Sequence, residues 1–241
     1  MKLYIAKYIN KLLNKFKFNN LNPASTPIKT KIKLESNSKQ INAENINYYQ
    51  QLIDSLLFLA LAIRIDICFV VIKLTRFASN PNNIHFLAIK RIFRYLKGTA
   101  YLGIVYNKNN PNYIQKYVNV DYVGDQLEAK NTIGYLLFIT GGIFMWKSKL
   151  QFIITQSIIE AETVAINTYG KELAFIKILL MELGFFRQSK LPLYCDNNGA
   201  ILLAKNPVFH ERIKYIKIKY YYIRQLINEG IIDLIFVSIK K

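Results

Sequence analysis

Apolar residues recur at Leu3, Ile5, Ile9, Leu12, Leu13 and Phe16, with lysines at 7, 11, 15 and 17. That spacing predicts an amphipathic helix over residues 2–17 with a lysine-rich outer face. Residues 18–46 lose the periodicity, carry Pro23 and Pro27 in a Lys/Asn/Ser mixture, and predict a linker or extended arm. Two dense apolar runs, 47–63 and 66–77, predict buried helices with a break near Arg64. Asn80-Pro81-Asn82-Asn83 is a turn and helix cap. The clearest amphipathic pattern covers residues 84–97. Ile89, Ile92, Phe93 and Leu96 form its apolar stripe, Lys90, Arg91, Arg94 and Lys97 its basic one, and Gly98 ends it.

The pattern then changes period. A short strand over 101–106 and a polar turn over 107–112 lead into Tyr113-Ile-Gln-Lys-Tyr-Val-Asn-Val-Asp121, an alternating strand that turns near Gly124. Tyr117, Asn119 and Asp121 share one face, Val118 and Val120 the other. Residues 132–140 and 143–148 predict a hairpin through Gly141-Gly142. A long helix follows over 158–183, then a strand over 191–195, helices over 197–205 and 213–228, and a last strand over 231–239. The mainly helical start and the strand-rich remainder divide the chain into domains 1–110 and 111–241. There is no internal repeat.

Carboxylates punctuate the second half. Asp121 ends a strand, Glu162 lies early in the long helix, and Asp196 ends another strand. Such acids can converge on divalent ions that stabilise in-line attack on a phosphate. The alternatives are a solvated helix face for Glu162 and a helix cap for Asp196.

Composition sharpens the picture. With 33 basic and 15 acidic residues the net charge is +18, which favours a polyanionic partner, nucleic acid first; the competing reading is Lys-rich drift. The basic stripe over 84–97 is either a solvated face or a track for a phosphate backbone. Cys68 and Cys195 lie in apolar contexts without metal-ligand spacing and read as buried thiols in a reducing, intracellular compartment, cytoplasmic or nuclear. The most apolar run, 52–63, is too short for a membrane span, and the opening residues are not a signal peptide. Trp146, Tyr220-Tyr221-Tyr222 and His210 can contact bases or substrate, or serve packing alone.

Several stretches together resemble the C-terminal part of the polyprotein of copia-type LTR retrotransposons, over nearly all of the chain. They are Tyr48 to Asp66, Arg76-Phe77 with Ser79-Asn80-Pro81, Arg94-Tyr-Leu-Lys-Gly-Thr99, Met145-Trp-Lys-Ser-Lys149, Glu160-Ala-Glu162, Tyr194-Cys-Asp-Asn197 and Ala204-Lys-Asn-Pro-Val-Phe-His210. The resemblance implies an α/β fold, a ribonuclease H-like mixed sheet with flanking helices, preceded by a helical remnant of a reverse transcriptase's thumb and connection. It implies Mg²⁺, an RNA–DNA hybrid as partner, and the remaining polyprotein as neighbour. It aligns Glu162 and Asp196 with the second and third of four catalytic acids and places Asn119 where the first should be, in Tyr117-Val-Asn-Val-Asp121. The fourth acid would lie beyond Lys241, and the paired aspartates of the palm upstream of Met1. Ile65, Ile158, Ile159 and Lys214-Tyr-Ile-Lys217 also depart from the family's pattern. Asp121, about 6.6–6.8 Å along the strand from Asn119, is the substitute ligand if activity survives. Three functions are compatible with these residues: an impaired ribonuclease H-like remnant; a working nuclease using Glu162, Asp196 and Asp121 as catalytic and metal-binding residues; and a nucleic-acid-binding module using Lys90, Arg91, Arg94, Lys97, Lys147 and Lys149.

Overall fold

The structure, a computed structural model, describes every residue except 30, 31, 33, 38–40, 108–113, 122–130, 152, 156, 185–189, 206–221 and 239–241. Gly124, His210, the Lys214–Lys217 run, Tyr220 and Tyr221 therefore lie outside the described residues, as does most of the helix expected over 213–228. The chain divides into two compact units, Met1–Val105 and Tyr106–Lys241.

The first unit is helical, with a two-residue clasp closing its ends. Lys2–Leu3 (β1) pairs antiparallel with Ile104–Val105 (β2), Leu3 opposite Ile104. A Cβ at Gly103 would overlap the Leu3 carbonyl, so this close approach requires glycine there. The expected helix over 2–17 is thus shorter, Ala6–Lys15 (α1), because a partner distant in sequence takes the first residues into a strand. Ala43–Ala62 (α2) and Ile65–Thr75 (α3) are the two buried helices. They separate at Arg64, whose guanidinium is buried. It grips both Asp66 oxygens at 2.9 and 2.7 Å and donates to the Thr99 carbonyl and hydroxyl at 3.0 and 2.7 Å. Asn83–Gly98 (α4) starts with a capping box. The His85 N–H donates to Asn82 Oδ1 at 3.1 Å, and the Asn82 N–H donates to His85 Nδ1 at 2.9 Å. His85 is buried against the Phe77 ring, 3.9 Å between centroids, and burial pushes its pKa down to about 4.

The second unit is a mixed sheet against a long helix. Ile114–Asp121 (β3), Thr132–Ile139 (β4) and Gly142–Leu150 (β5) form an antiparallel meander. Its β4–β5 turn uses Thr140 and Gly141, both at positive φ (51° and 75°), as a tight primed hairpin turn demands. Ile158–Glu182 (α5) leads to Leu191–Cys195 (β6), and Asn198–Lys205 (α6) follows. Residues 222–228 are helical, and Ile232–Phe236 is the last strand (β7). The sheet order is β5-β4-β3-β6-β7, with β6 parallel to β3 and β7 parallel to β6.

The strand parity predicted for β3 holds. Ile114, Lys116 and Val118 are buried, while Asn119 and Asp121 are exposed. The core joins those apolar β3 residues to Ile133, Tyr135 and Leu137 of β4, to Ile166, Tyr169 and Leu173 of α5, and to Leu193 of β6. Lys116 is inside it, with no exposed surface. Its ammonium donates to the Tyr169 carbonyl at 2.7 Å, sits 4.2 Å from the Tyr135 ring centroid and lies 3.8 Å from the Glu172 carboxylate.

Candidate metal centre and cationic surface

The parallel pairing of β3 with β6 brings the polar strand ends together. Tyr117 is in register with Tyr194, and their rings stack at 4.7 Å between centroids. Asn119 follows two residues after that pair on β3, and Asp196 two residues after it, just past the end of β6. Ser157 caps α5 by accepting from the Glu160 N–H at 3.1 Å, which fixes where the helix begins and turns Glu162 inward beside these strand ends. Glu162 is only 2% exposed. The Val120 N–H donates to Glu162 Oε1 at 3.2 Å and to Asn119 Oδ1 at 2.8 Å, so acid and amide share one donor. On its other side Glu162 Oε2 accepts a weak contact from the Cys195 thiol at 3.9 Å.

One ligand atom each of Glu162, Cys195 and Asp196 lies within 4.8 Å of the others, a grouping able to hold a metal ion. The solvated face offered as one reading of Glu162 is not what the structure shows. Nor does Asp196 cap α6: the Asn197 side chain accepts from the Ala200 N–H at 3.0 Å, leaving the Asp196 carboxylate to the cluster. Asp121 is exposed at the end of β3 and does not join the group. Cys195 is the member that sequence reading placed only as a buried thiol. Strand alternation puts neighbouring side chains on opposite faces, so the sequence carries no signal that Cys195 and Asp196 meet the same group.

Burial, and after it the Asp196 charge, raise the Glu162 pKa to about 7, partly offset by the Val120 N–H and the Cys195 thiol. Burial, chiefly, pushes the Cys195 thiol up to about 12, so it enters the cluster protonated. The donor set is thus two converging carboxylates, a thiol and a neutral amide turned onto its own neighbour's N–H. Glu162 and Asp196 fit a hard divalent cation; Asn119 brings an oxygen without charge.

The cations expected to meet nucleic acid are differently employed. Arg91 Nη2 donates to Thr26 Oγ1 at 2.9 Å and Arg94 Nε to the Asn22 carbonyl at 2.6 Å. Lys97 Nζ donates to the carbonyls of Asn19 and Leu21 at 2.6 and 3.1 Å. Three of the four stripe cations therefore hold the arm, and Lys90 is exposed. In the second unit Lys147 on β5 pairs with Glu172 at 3.3 Å, and Lys149 is exposed on the same strand. Among the described residues no helix is long and apolar enough to cross a membrane.

An antiparallel three-strand meander continued by two parallel strands, with acids gathered where β3, β6 and the start of α5 meet, defines a ribonuclease H-like domain. Nearly all of the chain is similar to the retrovirus-related Pol polyproteins of plant transposons. It is 33% identical to that of transposon TNT 1-94 from Nicotiana tabacum over 98% of its own length and 18% of the relative's. Against transposon RE1 from Arabidopsis thaliana the identity is 35%, over 96% of the chain and 16% of the relative. The chain thus spans less than a fifth of these relatives. No protein-family model matches it. Among solved structures, LC11-RNase H1 isolated from compost aligns at 18% identity and a TM-score of 0.39, over 54% of this chain and 86% of that one.

Proposed function

We propose that the second unit is a ribonuclease H-like domain that binds RNA–DNA hybrid and is impaired in cleaving it. The observation that carries this reading is the meeting of Glu162 and Asp196 beside Asn119, with the amide where a third charge would complete the centre. Mg²⁺ held by Glu162 and Asp196 would supply Lewis-acid stabilisation of charge developing on a phosphate. The chain's own part is to hold both carboxylates: the Val120 N–H orients Glu162, while Asn197 takes the capping role and releases Asp196. Asn119 adds no charge, so the field that attracts the ion is weaker by one unit than with an aspartate there. Lys147 and Lys149 on β5 supply cations for phosphates in this unit; the first unit carries its own set for a nucleic acid on α4, Lys90 with Arg91, Arg94 and Lys97, the last three now bonded to the arm.

The test is Mg²⁺-dependent cleavage of a labelled RNA–DNA hybrid by the purified chain and by Asn119→Asp. The wild type binds hybrid with little or no turnover, and Asn119→Asp raises turnover. Brisk wild-type cleavage that disappears in Asp121→Ala would establish instead a working nuclease with Asp121 as the replacement ligand.

A further inference from the structure

The arm on α4 has the geometry of a cover. Arg91, Arg94 and Lys97 lie on successive turns, about 9 Å apart from first to last at helical rise. Laid along a duplex axis, that span covers roughly three phosphates of one strand at 3.4 Å of axial rise each. Their present acceptors, the Thr26 hydroxyl and the Asn19, Leu21 and Asn22 carbonyls, are all neutral. Among the described residues none of the three cations makes an ion pair. Arg91 Nε is buried and has no acceptor at all. The arm is therefore an incomplete solution to three positive charges. It supplies four neutral acceptors and no anion, where a phosphate would bring an opposite charge to all three cations and, to an arginine, two parallel bonds.

The arm is also built to lift. Asn19, Asn20, Asn22, Pro23, Ser25 and Thr26 are exposed. One backbone bond ties the stretch to α4, from the Ala24 N–H to the Arg94 carbonyl at 3.3 Å. Firm anchors stand on either side. Phe18 packs on Phe93 at 5.0 Å between centroids. Downstream, Asn37 exchanges bonds with Asn80 and Pro81, the Asn37 amide donating to the Pro81 carbonyl at 3.0 Å and the Asn80 amide to the Asn37 carbonyl at 3.1 Å.

We infer that residues 19–28 are a displaceable strap over the α4 cations, and that the phosphate backbone of a nucleic acid takes the strap's place. This rests on the nucleic-acid partner proposed above and adds a gate to that surface. Binding exchanges neutral carbonyls for phosphates, so the arm leaves α4 when the polyanion arrives and returns when salt or dilution removes it.

A disulfide can lock the strap. A Cβ at Gly98 would stand 3.1 Å from Pro23 Cβ, close to the roughly 3.5–4.5 Å of a disulfide, and the native Cys68 and Cys195 are buried. The Pro23→Cys, Gly98→Cys chain is titrated with a fluorescent RNA–DNA hybrid, oxidised and reduced, across a salt series. The reduced form is expected to show a log–log salt slope steeper by about 2.7, three contacts at 0.9 each. That makes its affinity loss between 50 and 200 mM salt about 40-fold greater than the oxidised form's. Equal slopes overturn the strap while leaving the partner in place, and no binding by the reduced form overturns both. In the wild type, which needs no engineered pair to fold, saturating hybrid is expected to speed tryptic cleavage after Lys29. An unchanged or slower cut is evidence against displacement.

Discussion

Replacing Lys116 with methionine tests how the second unit is held together. An ammonium in the core is opposed by the loss of its hydration. It is supported by the Tyr169 carbonyl at 2.7 Å, the Tyr135 ring at 4.2 Å and Glu172 at 3.8 Å. Burial outweighs these partners and brings the Lys116 pKa from 10.5 to about 7, with Glu172 opposing the shift and Lys147 adding to it. That interval corresponds to roughly 5 kcal/mol at 1.36 kcal/mol per decade, an upper figure given the coupling to Glu172. Because the folded value is depressed, the unfolded chain binds the extra proton between about pH 7 and 10.5, and stability rises with pH across that window. Methionine has similar reach and no charge to dehydrate, and Glu172 keeps Lys147 at 3.3 Å. Lys116→Met is therefore expected to stabilise the unit by about 2–4 kcal/mol at pH 6, the loss of the cation–π and carbonyl contacts taken off the total. The advantage shrinks as pH approaches 10. Urea unfolding followed by Trp146, the lone tryptophan and a β5 residue of this unit, reads it directly. A methionine variant less stable than wild type at pH 6 would show that ring and carboxylate outweigh dehydration.

Other outcomes follow from the same contacts. Arg64→Ala leaves Asp66 and Thr99 without their partner and is expected to destabilise the first unit by about 3–5 kcal/mol; a loss under about 1 kcal/mol by thermal or urea unfolding would contradict the buried clamp. Arg64→Lys recovers little, because an ammonium cannot grip Asp66 with two parallel bonds. His85, held down to about 4, is neutral in the fold and charged in the unfolded chain between there and 6.5. Stability of the first unit therefore falls as pH drops through that window, by at most roughly 3 kcal/mol. His85→Gln, which preserves the capping box, flattens this dependence in a pH series of melts. Glu162 has the opposite sign. Its folded pKa is raised to about 7, so stability is full below 4.5 and declines as pH rises through 7. Without metal, Glu162→Gln is expected to melt later than wild type at pH 8, by up to roughly 3 kcal/mol, and together with it at pH 4; equal melts at both pH values would contradict the buried charge.

Local pattern carried much of the architecture. Alternation in β3, the apolar run of β6 and the double stripe of α4 are properties of neighbouring residues, and these elements appear where the pattern puts them. What depends on distant partners was not legible. Leu3 belongs to a helical spacing until Ile104, a hundred residues on, takes it into a strand. Lys116 falls on the inward parity of β3, between Ile114 and Val118, and that parity was the cue to its burial; its aromatic and acidic surroundings come from β4 and α5. Glu162 stands beside Ala161, Thr163, Val164, Ala165 and Ile166, a run with no polar side. Such a run marks a helical turn buried all round, and it argued against a solvated carboxylate. The arm over 19–28 has no periodicity, yet it decides what the α4 cations do, because its carbonyls reach them across some 70 residues of sequence. The convergence of Glu162 with Asp196 needed the parallel register of β3 and β6, which neither strand encodes alone.

On the reading proposed above, Glu162 and Asp196 form one weak divalent-metal centre beside a neutral Asn119. Calorimetric titration of Mn²⁺, with Mg²⁺ as competitor, into the wild type, Asp196→Asn and Asn119→Asp at pH 8 tests it most directly. The wild type is expected to bind weakly, Asp196→Asn not at all, and Asn119→Asp more tightly. Binding of equal strength in all three would mean that the ion sits elsewhere and that these side chains do not act as a centre.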